Sequence, residues 1–360
     1  MPRTLRVAIV GAAGYSGAEL ASLLLLHPQV EIVGVFGSAK RDASQPQVFG
    51  EVFPRVRGRL DLPLLPGGAA EILACRPDVV FLATPHEASV ELAPGLLEGG
   101  AVVLDLSAAF RLRDAALYPA FYGFEHARPE LLASAGYGLP EMHREQIRGA
   151  NLIAVPGCYP TSAILPLAPL VRAGAIAADG AAGTGRLRRP IVDSTSGVSG
   201  AGRKAEQRLL FCEVSQSAYG IFKHRHQPEI DAYAGTATLF TPHLGPYERG
   251  ILSTIHVELA HGWTTARVRG AIEAAYAGER FVRLLPKGTF PSVADVRGTN
   301  FCDIGVAVDE AWSHAIIVSA IDNLTKGAAG QAVQCMNIRM GFDEATALSG
   351  PVNARNEVAR

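Results

Sequence analysis

The sequence predicts an α/β protein: a Rossmann-type, doubly wound parallel sheet, followed by an α+β domain with a mixed or antiparallel sheet. Three observations carry this. Short apolar runs recur through the first 155 residues, with helical or turn sequence between them. The glycine-rich segment GAAGYSG follows the first run directly. Beyond residue 181 the pattern changes to strand-like runs separated by turn sequence. At roughly 150 residues per domain, a chain of 360 residues suits two domains.

LRVAIV at 5–10 is rich in β-branched residues and stops at Gly11, which marks a first strand. SGAELASLLLL follows with Leu20, Leu23 and Leu24 at helical spacing, and ends before His27-Pro28, where proline cannot continue a helix. Further strands are expected at 30–36 (VEIVGVF), 78–84 (DVVFLAT), 101–107 (AVVLDLS) and 151–155 (NLIAV). Such continuous apolar runs suit strands buried on both faces. Residues 181–203, rich in Gly, Ser and Arg, read as a long functional loop. Strands are expected at 235–240, 251–258 and 315–321, an amphipathic helix at 264–278 and a last helix at about 327–341, before a loose tail beyond Pro351. The expected division is a dinucleotide-binding domain at 1–155, rejoined by the C-terminal segment from about 325 to 360, and a catalytic and oligomerisation domain at 156–324.

Composition narrows the function. Apolar residues make up 48% of the chain, charged residues 19%, and the net charge is −1 without a long run of either sign. Nothing here suits nucleic acid or an anionic membrane as partner. No apolar run approaches the ~18 residues that span a bilayer, and the N-terminus lacks the pattern of a signal peptide. Five cysteines, an odd number without a CxxC pair, suit a reducing compartment and argue against structural zinc. A cytoplasmic protein without a bound metal is the expectation.

Two places carry chemistry. Gly11, Gly14 and Gly17 lie between a strand and a helix, where backbone N–H groups approach a pyrophosphate and the helix dipole favours it. The loop from Gly11 through Ala13, Gly14, Tyr15, Ser16 and Gly17 is therefore the expected dinucleotide site. An NAD site places a carboxylate after the second strand to bind the ribose. This chain has Ser38, Lys40 and Arg41 there instead, which favours the 2′-phosphate of NADP. A solvated basic loop is the alternative.

The second place is VPGCYPT. Cys158 stands just after a strand, beyond Pro156-Gly157, with helical sequence expected from about Pro160. A cysteine at a helix N-terminus has its thiolate stabilised by the dipole and becomes a usable nucleophile. Cys75, Cys212, Cys302 and Cys335 read as ordinary small hydrophobes. A thiolate needs a proton-transfer partner, and His224 and His226 in KHRHQPEI are the leading candidates, ahead of His243 and His86. Neighbouring Lys223 and Arg225 would lower an imidazole pKa and keep it available as a base.

These segments resemble the N-acetyl-γ-glutamyl-phosphate reductase family of arginine biosynthesis. PGCYPT at 156–161, DSTSGVSGAGRKA at 193–205 and HRHQPEI at 224–230 carry the resemblance. VGAAGYSGAEL, LSAAFRL, FTPHLGPYERGIL, GTNFCDIG and AIDNLTKGAAGQA extend it in order over nearly the whole chain. The resemblance implies that Cys158 is the nucleophile, His224 the acid–base residue with His226 as second choice, and Asn323 a neighbour of the nicotinamide. It also implies that Ser196 and Gly197 open a loop near the cofactor, that Pro85 belongs to the cofactor set, and that Ser107 and Arg111 help form the substrate pocket. Arg111, Arg113 and Arg203 are the candidates to hold the substrate's phosphate or carboxylate. The implied reaction is NADPH-dependent reduction of an acyl phosphate, by a homo-oligomer (dimer or tetramer). A sister family acting in lysine biosynthesis carries AGCNAT-like sequence where this chain has PGCYPT. The competing readings are an aspartate-β-semialdehyde dehydrogenase, a cysteine hydrolase using Cys158 and His224, and a non-catalytic dinucleotide-binding regulator.

Overall fold

The computed structural model describes residues 4–39, 47–177 and 188–348. Two compact units divide it: residues up to Gly157 with the segment from Ala328 onward, and Cys158–Gly327.

The first unit is built on seven strands: β1 (Leu5–Val10), β2 (Val30–Phe36), β3 (Leu64–Leu65), β4 (Val79–Leu82), β5 (Val102–Asp105), β6 (Gly136–Tyr137) and β7 (Leu152–Ala154). Their order across the sheet is β3-β2-β1-β4-β5-β7-β6, and every pairing is parallel. The apolar runs are continuous because both faces are covered; all four residues of β4 and of β5 are buried. β1 pairs with β2 on one side and β4 on the other, which is the topological switch point where an open α/β sheet binds its ligand.

The helix Tyr15–Leu24 buries Gly17, Leu20, Ala21 and Leu24, one face at helical spacing. Helix Gly330–Met340 also belongs to this unit. Asn337 Oδ1 lies 3.1 Å from His27 Nε2. Gln334 donates to Glu141 at 3.2 Å, and the Cys335 thiol to the Gly138 carbonyl at 3.3 Å. This helix is preceded by a π-turn at Thr325–Ala329, so the expected single helix at 327–341 is two elements of different winding.

The second unit holds β8 (Ile191–Gly197), β9 (Ser217–Ala218), β10 (Leu239–Gly245), β11 (Ile251–Glu258), β12 (Val282–Leu284), β13 (Cys302–Asp309) and β14 (His314–Ile321). The order is β12-β13-β14-β11-β8-β10-β9, a mixed sheet in which β8∥β10 and β12∥β13 are the parallel pairs. Ile251, Ser253, Ile255 and Val257 of β11 are buried, with more open residues between them, the period-two pattern of a sheet covered on one face. Helix Cys158–Arg172 lies against that face. Ser162 Oγ sits 2.7 Å from Ser253 Oγ, which sits 2.6 Å from Ser194 Oγ. This buried hydroxyl chain ties the first turn of the helix to β11 and β8.

Several expectations are corrected. Within the expected loop at 181–203, Ile191–Gly197 is a central strand, and residues 178–187 lie outside the described residues. The strand expected at 235–240 runs over Leu239–Gly245, because Gly235 takes a left-handed conformation (φ 79°) that ends the preceding helix. The helix expected from Pro160 begins at Cys158 and continues through Pro166 and Pro169 to Arg172. The tail beyond Pro351 lies outside the described residues. Among the described residues no helix is long and apolar enough to cross a membrane.

Candidate active site

The glycine loop leaves β1 at the switch point. Gly11 has φ 77°, a conformation that favours glycine, and a Cβ there would lie 2.2 Å from the Ala83 carbonyl oxygen at the end of β4. Gly17 meets the same limit from the helix side: a Cβ would lie 2.6 Å from Ala12 Cα. Gly14 is the N-cap of helix Tyr15–Leu24, and its N–H donates to Gly11 O at 3.0 Å. A Cβ on Gly14 would meet only Gly11 O, at 3.4 Å. The backbone is therefore bare and open where a pyrophosphate approaches, so the loop fits a dinucleotide. Ala13, Tyr15 and Ser16 complete its turn into the helix, and Pro85 is the N-cap of helix His86–Glu98 after β4. Ser38 is exposed just beyond β2, whereas Lys40 and Arg41 lie outside the described residues.

The end of β5 holds a polar knot in the same unit. Asp105 is fully buried, and burial raises its pKa against the opposing pull of Ser107, Ser89 and Arg111. Ser107 Oγ donates to Asp105 Oδ2 at 2.8 Å, and Ser107 N–H donates to Oδ1 at 3.1 Å. Arg111 is buried, with Nε donating to Val155 O at 2.8 Å and Nη2 to Leu106 O at 2.9 Å. Those bonds join the ends of β5 and β7. Arg113 is held differently, with Nη1 on Ala133 O at 2.9 Å. Sequence reasoning missed Asp105, although a carboxylate closing an apolar strand is a visible signal.

Cys158 is the first residue of its helix, so its side chain stands at the positive end of the helix dipole. Tyr159 follows and packs edge-on against both candidate histidines, with ring centroids 5.6 Å from His224 and 5.9 Å from His226. The two imidazoles lie 4.8 Å apart, and His226 N–H donates to His224 Nδ1 at 3.2 Å. Burial first, and Arg225 second, lower the His224 pKa to about 4. His224 is thus neutral near pH 7, and its burial contributes more to this than the neighbouring cation that the sequence suggested. Tyr219 joins the cluster through its hydroxyl, 3.2 Å from that of Tyr159.

Ser196, Gly197 and Asn323 also come together in this second unit. Gly197 N–H donates to Gly250 O at 2.9 Å. Asn323 is buried; its Oδ1 accepts from Gly250 N–H at 2.6 Å and its Nδ2 donates to Ser199 Oγ at 3.0 Å. Ser196 is buried beside them, its hydroxyl 3.0 Å from Gly197 O. Arg203 is exposed a few residues further on. Among the described residues no group of three or more His, Cys, Asp and Glu side chains is arranged to hold a metal ion.

A parallel sheet with a bare glycine loop at its switch point, and a mixed-sheet unit headed by a helix-terminal cysteine, define a dinucleotide-dependent dehydrogenase. Two family models agree: "Semialdehyde dehydrogenase, NAD binding domain" matches residues 6–150, and "Semialdehyde dehydrogenase, dimerisation domain" matches residues 158–323. N-acetyl-gamma-glutamyl-phosphate reductase of Salmonella typhi is 49% identical over 345 residues, covering 96% of this chain and 99% of that protein. Those of Yersinia pseudotuberculosis and Escherichia coli are 50% and 49% identical over the same 96% of the chain and 99% of their own lengths. The chain belongs to the N-acetyl-gamma-glutamyl-phosphate reductase family. Among solved structures, aspartate semialdehyde dehydrogenase II of Vibrio cholerae superposes with a TM-score of 0.69 at 19% identity, over 94% of this chain and 99% of that one. Aspartate semialdehyde dehydrogenase of Candida albicans, solved with NADP, gives 0.64 at 14% identity, over 93% and 98%. At such identities the likeness is one of fold.

Proposed function

We propose that the protein reduces N-acetyl-γ-glutamyl phosphate to N-acetylglutamate 5-semialdehyde with NADPH, through a thioester on Cys158. One observation supports this most: Cys158 heads a helix while the next residue packs against a pair of histidines, one of them held neutral. The reading assigns cofactor binding to the first unit and acyl transfer and oligomerisation to the second. It puts the enzyme in the cytoplasm, in keeping with five cysteines of which none forms a disulfide.

His224 takes the thiol proton, with His226 as the second candidate, and the helix N-terminus stabilises the thiolate. The Cys158 sulfur attacks the acyl carbonyl, the carbon–oxygen bond to phosphate breaks, and phosphate leaves. Backbone N–H groups of the first helical turn stabilise the oxyanion; Pro160 has none to offer, so Tyr159 and Thr161 are the donors nearest in sequence. When bound, NADPH supplies the hydride that reduces the thioester carbon. The histidine, protonated since the first step, gives that proton to the alkoxide left by hydride transfer; it takes the proton back as the thiohemiacetal collapses, and the thiolate is restored as the aldehyde departs. The loop from Gly11 to Gly17 would hold the pyrophosphate, with Ser38, Lys40 and Arg41 near the 2′-phosphate and Asn323 near the nicotinamide; Pro85, Ser196 and Gly197 complete the proposed cofactor set. Ser107, Arg111, Arg113 and Arg203 are the substrate set. The hydrogen bonds of Arg111 favour a positioning part for it.

The reaction is tested in reverse, because the acyl phosphate is unstable. N-acetylglutamate semialdehyde, phosphate and NADP are mixed with the enzyme and absorbance is followed. Phosphate-dependent NADPH formation is expected, weaker with NAD. Activity with aspartate semialdehyde alone would overturn the substrate assignment.

A further inference from the structure

We propose that Gly327 is a positioning residue for the Cys158 thiolate: the absence of a side chain at 327 lets the π-turn pass directly against the Cys158 Cβ and fix it at the head of its helix. This inference rests on the reading of Cys158 as the nucleophile. A Cβ on Gly327 would lie 2.8 Å from Cys158 Cβ and 3.2 Å from Cys158 Cα. Real Cβ atoms do not approach so closely. The φ of Gly327 lies outside the left-handed range, so glycine is required here for space and not for backbone conformation.

Neither side of the contact is free to yield. Gly327 N–H donates to Asp322 O at 2.9 Å, the i to i−5 bond that winds the π-turn. Asp322 is fully buried. Its carboxylate is ion-paired with Arg249, whose Nε lies 2.8 Å from Oδ2, and it accepts from Arg249 Nη2 at 2.9 Å and from the N–H groups of Gly298, Leu324 and Thr325 at 2.6, 2.9 and 3.1 Å. The Thr325 hydroxyl is a further partner of Arg249, at 3.3 Å. On the other side, Ser162 Oγ donates to Tyr159 O at 2.9 Å and is tied to Ser253 on β11. A methyl group at 327 therefore displaces Cys158 from the helix N–H groups that stabilise its thiolate. Turns of this winding inside helical segments recur at functional sites, and this one gives the buried Arg249–Asp322 pair a part in catalysis.

The test compares Gly327→Ala with wild type and with Gly270→Ala, a helical glycine with no atom within 4 Å of an added Cβ. Folding is checked by circular dichroism and NADPH binding by fluorescence. The rate of Cys158 alkylation by iodoacetamide is measured against pH. Gly327→Ala is expected to fold, to bind NADPH with unchanged Kd, and to lose on the order of 100-fold in kcat with little change in KM. Its alkylation profile is expected to move to higher pH, slowing the reaction near neutrality on the order of 10-fold. A purely structural role would leave that profile unmoved. Should Gly327→Ala not fold, Asp322→Asn, which loosens the turn without adding bulk, is expected to shift the profile in the same direction. Wild-type kcat and alkylation in whichever of the two folds would overturn the proposal. Retention of activity after complete alkylation of wild-type Cys158 would instead overturn the nucleophile assignment.

Discussion

Tyr159 stands perpendicular to His224, ring centroids 5.6 Å apart, and its hydroxyl donates to the His243 carbonyl at 2.8 Å. The residue beside the nucleophile thus forms part of the wall that buries its proposed base. Because burial and then Arg225 lower the His224 pKa to about 4, the acidic limb of kcat/KM is expected near pH 4 and not near the ordinary 6.5. Arg225→Ala removes the smaller cause and should move that limb upward by a fraction of the whole shift. A limb that stays near 6.5 in wild type would remove His224 from the role.

The same group links stability to pH. Its folded pKa lies below its unfolded one, so its contribution is complete above about 6.5 and is lost as pH falls toward 4. His224→Gln should flatten the stability profile in that window, as read by urea midpoints at several pH values. An unchanged slope would contradict the burial argument.

Asp105 works in the opposite sense. Burial raises its folded pKa above the ordinary 3.8, so stability from this group is complete below 3.8 and is lost as pH rises through the folded value. Ser107→Ala removes a 2.8 Å donor from a buried carboxylate, and is expected to cost about 1–3 kcal/mol near neutral pH. Asp105→Asn should remove this group's loss of stability with rising pH and leave the slope due to His224 in place. Chemical denaturation across pH checks both.

Arg249 and Asp322 are both buried, so breaking the pair differs from replacing it. Arg249→Met leaves a buried carboxylate without its cation and is expected to destabilise by about 3–5 kcal/mol. The double variant Arg249→Met, Asp322→Leu is expected to recover part of that loss. Additive losses in a double-mutant cycle would show that the two side chains act independently.

Gly11→Ala combines a strained φ with a 2.2 Å clash against Ala83 O. It is expected to weaken NADPH binding at least about 10-fold through displacement of the loop, since positive φ and close backbone approach both select glycine. Fluorescence titration of NADPH reads this directly, and an unchanged Kd would remove the loop from the cofactor site.

Legibility in the sequence follows the range of the forces involved. The first sheet was readable because its strands are buried on both faces, so each appears as an unbroken apolar run, and because Gly11 and Gly17 answer local steric demands. β8 was read as loop because DSTSGVS carries serines whose hydroxyls are satisfied by distant partners: Ser194 bonds to Ser253, far along the chain. The edge strands β9, of two residues, and β12, of three, are too short to show a period. The turn that leads into a helix at Cys158 was legible from Pro156-Gly157, and the closeness of His224 and His226 from their spacing. Asp105, the Arg249–Asp322 pair and the contact of Gly327 with Cys158 were not, since each is fixed by residues brought together only on folding.

The central claim, a thioester on Cys158, is tested most directly by trapping it. Enzyme is mixed with N-acetylglutamate semialdehyde and NADP, without phosphate, so that the oxidised acyl group has no acceptor to carry it off. A burst of NADPH equal to the active sites is expected, with an acyl adduct found by mass spectrometry on the peptide bearing Cys158. Cys158→Ser should give neither burst nor adduct. A burst of equal size from Cys158→Ser, or an adduct on another residue, would rule out a thioester on Cys158.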